Sequence, residues 1–300
     1  MHEKGRTVVD QGWTRRDFFR RTALAGALTV PALAACSQVA EPGNTLETAR
    51  QNGKIRIGIA NEAPYGYTDA SGRVTGEAPE VARAVFKALG IPEVEAVASK
   101  FDGLIPGINA RQFDMVAAGM NITPERCGQV AFSIPDYTAL TALLVPKGNP
   151  KGVTDFASVK AEGVSLAVLS AAVEKGYAEE AGVTDIQTLD SQDTLLRAVA
   201  DGRVYAAALT DISLKDLVKK NEGVAVEVTP GFVPTKDGQE VVSAGGFVFR
   251  SGDTALRDAF NAELRKLHEN GEWLRIVEPF GFGADNLPGP ELTTEKLCAA

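Results

Sequence analysis

The residues able to recognise a small charged molecule gather at a few places in this 300-residue chain. In Asn121-Ile122-Thr123-Pro124-Glu125-Arg126 a helix begins: Thr123 can cap it, Pro124 suits its first position, and Arg126 falls in its first turn. A guanidinium presented there is a fork of donors for a carboxylate, and its plainer alternative is a surface arginine paired with Glu125 or Asp136. Upstream, residues 60–67 form a Pro/Gly loop carrying one carboxylate and two aromatics. Glu62 is either a solvated charge or an acceptor for N–H groups on a cationic ligand. Tyr65 and Phe101 are either core or walls, and an aromatic face attracts a desolvated cation by about 0.5–2 kcal/mol. Enzyme chemistry finds little material. Two histidines (His2, His268) and three cysteines (Cys36, Cys127, Cys298) build neither a zinc site nor a His-based triad. Glu62 or Glu174 could act as a buried general acid, but neither comes with a partnered base. No catalytic residue, metal or cofactor is assigned.

The elements that must position these groups follow from periodicity. Residues 54–59 alternate as a strand that runs into the 60–67 loop, and a helix over 78–89 and a strand over 94–98 complete a βαβ unit. Phe101, Leu104, Ile105 and Ile108 share one helical face. The apolar run 114–119 ends at Gly119 as a buried parallel strand would, so Arg126 lies where open α/β sheets bind ligands. Residues 139–145 are extended and stop at Pro146-Lys147-Gly148-Asn149-Pro150. Strands over 164–168, 186–189 and 204–209 then alternate with helices over 172–181, 192–200 and 211–219. A second extended run, 241–249, returns, with Gly245 and Gly246 allowing backbone rotation. The helix 253–270 places Leu256, Phe260, Leu264 and Leu267 on one face to pack on the first lobe, with Trp273 and Phe280 as core. The polar segment 37–52 reads as a mobile linker, and the tail from Pro288 as frayed.

Thr14-Arg15-Arg16-Asp17-Phe18-Phe19-Arg20 resembles a twin-arginine export signal. The apolar run 22–35 that follows is too short to span a bilayer and ends in Leu33-Ala34-Ala35-Cys36, similar to a lipoprotein cleavage site. Cleavage would remove residues 1–35 and leave Cys36 to carry a lipid. The chain has 31 basic and 39 acidic residues, a net of −8. Without the basic leader the balance is about −11, which argues against nucleic acid as a partner. A disulfide between Cys127 and Cys298 is open in an oxidising compartment, but no cysteine framework points to it.

The order Phe101-Asp102-Gly103-Leu104-Ile105-Pro106, Phe113-Asp114, Ala118-Gly119-Met120, Ile122 to Arg126, Phe132-Ser133 and Pro135-Asp136-Tyr137 resembles the polar amino-acid group of solute-binding proteins that serve ABC importers. The resemblance covers about residues 50–290. It implies an α/β, two-lobed periplasmic-binding-protein-like (type II) fold, mainly parallel sheets joined by two hinge strands. Lobe one would hold 53–143 and 244–290, lobe two 144–243, with a leader over 1–35, a linker over 36–52 and a tail over 291–300. Asn61 to Tyr67, Gly76 to Glu80, Gly245-Gly246-Phe247 and Pro279 to Phe282 are most similar to the ectoine/hydroxyectoine-binding branch. By that likeness Arg126 grips a carboxylate, and Glu62, Tyr65, Phe101, Gly119, Asn121, Ala172 and Thr210 surround the ligand. Two places depart from the family's pattern. Asn121 replaces an aromatic of the ectoine branch, and Ala171-Ala172 replace Gly-Thr. Thr210 stands where amino-acid binders place an aspartate, with Asp211 one position on. The implied protein is an extracytoplasmic, lipid-anchored binder of a small zwitterion that hands it to ABC permease subunits. Binders of another amino acid or betaine, and a dehydratase of the same fold, are the alternatives.

Overall fold

The computed structural model describes residues 44–236 and 238–299. The chain enters lobe one through α1 (Thr45–Asn52), β1 (Lys54–Ile59), a hairpin of β2 (Tyr67–Thr68) and β3 (Val74–Thr75), α2 (Glu77–Ala88) and β4 (Glu93–Ala98). A 3-10 turn at Phe101–Gly103 leads into α3 (Leu104–Asn109), then β5 (Met115–Asn121), α4 (Pro124–Cys127), β6 (Ala131–Phe132) and β7 (Tyr137–Ala139). Lobe two holds β8 (Thr141–Pro146), α5 (Phe156–Ala161), β9 (Leu166–Leu169), α6 (Val173–Glu180), β10 (Ile186–Leu189) and α7 (Gln192–Ala200). It continues with β11 (Ala206–Thr210), α8 (Asp211–Lys220), β12 (Val226–Val228) and the hairpin β13 (Thr235–Lys236) with β14 (Gln239–Glu240). Back in lobe one come β15 (Ser243–Phe249), α9 (Thr254–Glu269), α10 (Glu272–Val277) and α11 (Thr294–Ala299).

Lobe one's sheet runs β4-β1-β5-β15-β6, with β7 also on β15. Strands β4, β1 and β5 are parallel, and β15 is antiparallel to its neighbours. Lobe two's sheet runs β10-β9-β11-β8-β12, parallel over the first three. The continuous apolar runs of the inner strands reflect burial on both faces, because successive side chains point to opposite sides. In β5, Met115 and Ala117 enter one core while Val116, Ala118 and Met120 enter the other. Leu166 and Val168 of β9 are divided from Ala167 and Leu169 in the same way.

The crossings between lobes are short. β7 pairs in the first sheet and β8 in the second, so one crossing falls at Leu140; the other lies at Val242, just before β15. These two apolar residues are 42% and 49% exposed. Residues 141–143, expected in lobe one, therefore belong to the second sheet. Gly245 and Gly246 are not pivots: both are buried in β15, opposite Asn121 and Met120. A Cβ on Gly245 would lie 2.3 Å from the Tyr137 ring, so close packing explains that glycine.

Both ends of the described chain are more ordered than expected. The segment assigned as linker forms α1 from Thr45, with Thr45 and Ala49 buried and Thr45 Oγ1 donating to Asp253 Oδ1 at 2.9 Å. The tail is fastened as well: Leu297 of α11 is buried in lobe one, Thr294 Oγ1 donates to Ser133 O at 2.6 Å, and Cys298 is disulfide-bonded to Cys127. Phe280 packs against the core partly buried and Trp273 is fully buried. The signal segment and Cys36 lie outside the described residues.

Candidate functional site

On the lobe-one side the 60–67 loop is closed by Glu62 N–H to Gly66 O at 3.0 Å and Gly66 N–H to Glu62 O at 3.1 Å. Its next carbonyls, of Pro64 and Tyr65, accept the first N–H groups of α2 (Glu77 and Ala78, both 2.9 Å), doing the work of a missing side-chain cap. The loop is thereby fixed, and with it Glu62 and Tyr65. The Tyr65 ring lies against Gly119, where a Cβ would come within 2.3 Å of it; with φ at 61° besides, glycine is required twice over. Arg126 sits as the capping signal predicts, its N–H donating to Thr123 Oγ1 at 3.3 Å. Its guanidinium lies 5.3 Å from the Phe101 ring centre, and Nη1 donates to Asn121 O at 2.9 Å. The Asn121 side chain itself donates to Ser243 Oγ at 2.9 Å.

Lobe two supplies the opposite wall. Thr210, ending β11, caps α8 by accepting from Ser213 N–H, and its Oγ1 shares a hydrogen bond of 2.9 Å with the Tyr65 hydroxyl. Arg126 Nη2 donates to the carbonyl of Ala171 at 2.9 Å, where Ala171 adopts φ of 60° just before α6. These two bonds join the lobes across the cleft. Asp211 accepts from Leu140 N–H at 3.2 Å and pairs with Lys215, so this carboxylate serves the hinge.

Glu62, Tyr65, Phe101, Gly119, Asn121, Arg126, Ala172 and Thr210 all line this one cleft, a space of about 470 Å³ including its open mouth. Arg126 bonds to neither Glu125 nor Asp136; Asp136 is buried and accepts from Trp273 Nε1 at 2.9 Å. Glu174, in the first turn of α6, lines the cleft too and was not among the expected contacts. The sequence offers Glu174 only as a general acid without a base; the three-dimensional arrangement shows it 2% exposed in the wall of the cleft.

Burial dominates the electrostatics. It pushes Glu174 up to about 7 against the pull of its own backbone N–H and Arg126. Glu62 is also pushed up to about 7, by burial and then by Glu174. Burial lowers the Arg126 pKa, and Glu174 does most to oppose that. The cleft thus offers one guanidinium, two carboxylates that titrate near neutrality, and aromatic faces. Among the described residues no cluster of His, Cys, Asp and Glu could hold a metal ion, and no helix is long and apolar enough to cross a membrane.

This geometry has clear relatives. The "Probable amino-acid ABC transporter periplasmic-binding protein y4tE" of Sinorhizobium fredii is 37% identical over 260 residues, covering 85% of this chain and 86% of that one. The L-cystine-binding protein TcyJ of Escherichia coli K12 is 26% identical over 88% of this chain and 96% of its own length. Among solved structures, EhuB in complex with hydroxyectoine superimposes with a TM-score of 0.77 at 38% identity, covering 87% of this chain and 100% of EhuB. The model of the bacterial extracellular solute-binding proteins, family 3, matches residues 55–284, and the chain belongs to that family.

Proposed function

We propose that the chain captures a small zwitterion, ectoine or hydroxyectoine, for an ABC importer, and does not transform it. The observation that carries this reading is the cleft itself: Arg126 held over Phe101, facing Glu62 and Tyr65, with both lobes contributing walls. The ligand carboxylate would meet Arg126, whose guanidinium gives two of its five N–H groups to carbonyls and has others to offer. The cationic amidinium would meet Glu62 between the rings of Tyr65 and Phe101. Closure is favoured by contacts that exist only when the lobes meet, such as Tyr65 with Thr210, and the closed form is what the permease would recognise. Export by a twin-arginine signal over residues 1–35 and a lipid on Cys36 would hold the protein at the outer face of the cytoplasmic membrane. Likeness to the hydroxyectoine-bound EhuB supports the ligand class.

One observation favours a second ligand. The Asn121 amide turned to Ser243 provides no aromatic wall, which suits a different amino acid in the same cleft. Calorimetric titration with hydroxyectoine, ectoine, proline betaine and L-arginine distinguishes them. Saturable binding with recovery of unchanged ligand is expected, and Arg126→Ala should weaken it at least about a hundredfold. Turnover of a prephenate-like acid without tight ectoine binding would overturn the reading.

A further inference from the structure

Arg126 is carried by a very short element. Helix α4 is a single turn, Pro124–Cys127, closed by Cys127 N–H to Thr123 O at 2.9 Å and by the Thr123 cap. One turn has little cohesion of its own, because three residues are fixed for the first hydrogen bond. Successive helix positions diverge by about 100°, so Arg126 faces the cleft while its neighbour Cys127 leaves on another side. There the Cys127 sulfur is bonded to Cys298 of α11. α11 is itself fastened to lobe one: Leu297 is buried in the same apolar cluster as Leu104, Ile108 and Ile122, and Thr294 Oγ1 donates to Ser133 O. The guanidinium has fewer holds. Its bond to the Ala171 carbonyl needs lobe two in place, so an open cleft leaves it Asn121 O and the face of Phe101.

We propose that α11 is a brace for the ligand-gripping arginine: the Cys127–Cys298 bond holds α4 so that Arg126 is in place before a ligand arrives, and opening that bond lowers ligand affinity while both lobes stay folded. The inference rests on the reading of the cleft as a zwitterion site. Neither cysteine lies in a strand, and both sheets are complete without α11, which follows the last strand. Opening the bond therefore frees a one-turn helix and a terminal one and leaves the strand ladders untouched. A loosened arginine must be ordered again when the carboxylate binds, and that ordering is subtracted from affinity. Cys127 and Cys298 are thus positioning residues, and both are half-buried, within reach of a thiol. Reduction transfers two electrons and two protons from a dithiol to the bond through a mixed disulfide. A disulfide oxidant such as oxidised glutathione takes them back. The site is then fully formed only where the surroundings are oxidising.

The test compares oxidised wild type, wild type reduced with dithiothreitol, and the double variant Cys127→Ser, Cys298→Ser. Each is titrated calorimetrically with hydroxyectoine and L-arginine, and each is followed without ligand by hydrogen exchange over residues 121–130, with β1 and β9 as references. Opening the bond should weaken binding about tenfold and speed exchange over 121–130, with β1 and β9 as protected as before. Oxidised glutathione should restore the affinity of the reduced wild type and leave the serine variant weak. A crosslink that served stability alone would lower the melting temperature and change neither the affinity of the folded protein nor exchange over 121–130. Affinity within twofold of the oxidised protein, with exchange over 121–130 unchanged, therefore overturns the inference and leaves the zwitterion site standing. Loss of protection in β1 and β9 overturns it too, because the bond would then be holding the lobes. Oxidised wild type that binds neither probe counts against the zwitterion site instead, and exchange over 121–130 then decides the brace.

Discussion

The Glu174 carboxylate makes a sharp prediction about the protein without ligand. Moving the Glu174 midpoint from 4.5 to about 7 corresponds to roughly 3 kcal/mol, at about 1.4 kcal/mol per pH unit. The sign follows from proton counting. Between those two values the folded state holds more protons than the unfolded state, so stability falls as pH rises. Below about pH 4.5 the carboxyl is protonated in both states and costs nothing; above about pH 7 the full penalty is present. Glu174→Gln removes the titration. It should leave stability almost unchanged near pH 4.5 and raise it by up to roughly 3 kcal/mol near pH 8, a large share of the 5–15 kcal/mol typical of a folded domain. Urea unfolding of the ligand-free protein at several pH values, with the slope against urea held constant, measures it. A variant no more stable than the wild type near pH 8, or one whose pH slope is unchanged, refutes the placement of a carboxylate whose burial outweighs the pull of its backbone N–H and Arg126.

Other perturbations follow from the geometry. Tyr65→Phe keeps the ring against Gly119 but removes the hydroxyl shared with Thr210, so the closed form should lose about 1 kcal/mol and small-angle scattering should show a larger radius in the variant. Gly119→Ala meets both a left-handed backbone and the Tyr65 ring; a loss of about 2 kcal/mol or more is expected in thermal or urea unfolding, together with weakened ligand binding. The disulfide ties residues 171 apart in sequence, and replacing Cys127 and Cys298 by serine should cost about 2–5 kcal/mol, with faster proteolysis of the α11 segment as a second readout.

The alternation of strands and helices in both lobes was legible because each inner strand is an apolar run too short for a helix and each helix shows its own apolar face. The cap at Thr123 and the arginine one turn on were equally local signals, and they put Arg126 in the cleft. What escaped was non-local. α1 is eight residues long with only two of them buried, and it is fixed by Asp253, 208 positions away. α11 has a polar sequence and gains its place from Leu297 and the bond to Cys127. Glu174 is offered by the sequence only as a general acid without a base, and its burial in the cleft wall is visible only in three dimensions. Gly245 and Gly246 illustrate the opposite error: a pair of glycines suggests freedom, yet the Tyr137 ring occupies the space where a side chain would go.

The paired crossings at Leu140 and Val242 have a mechanical consequence. Two bodies pinned at two neighbouring points keep one easy motion, a swing about the line through the pins, much as a door keeps to its frame. Travel is then least beside the pins and greatest at the free margins of the two leaves. Any machine that must tell a shut door from an open one does best to touch both leaves at that outer edge.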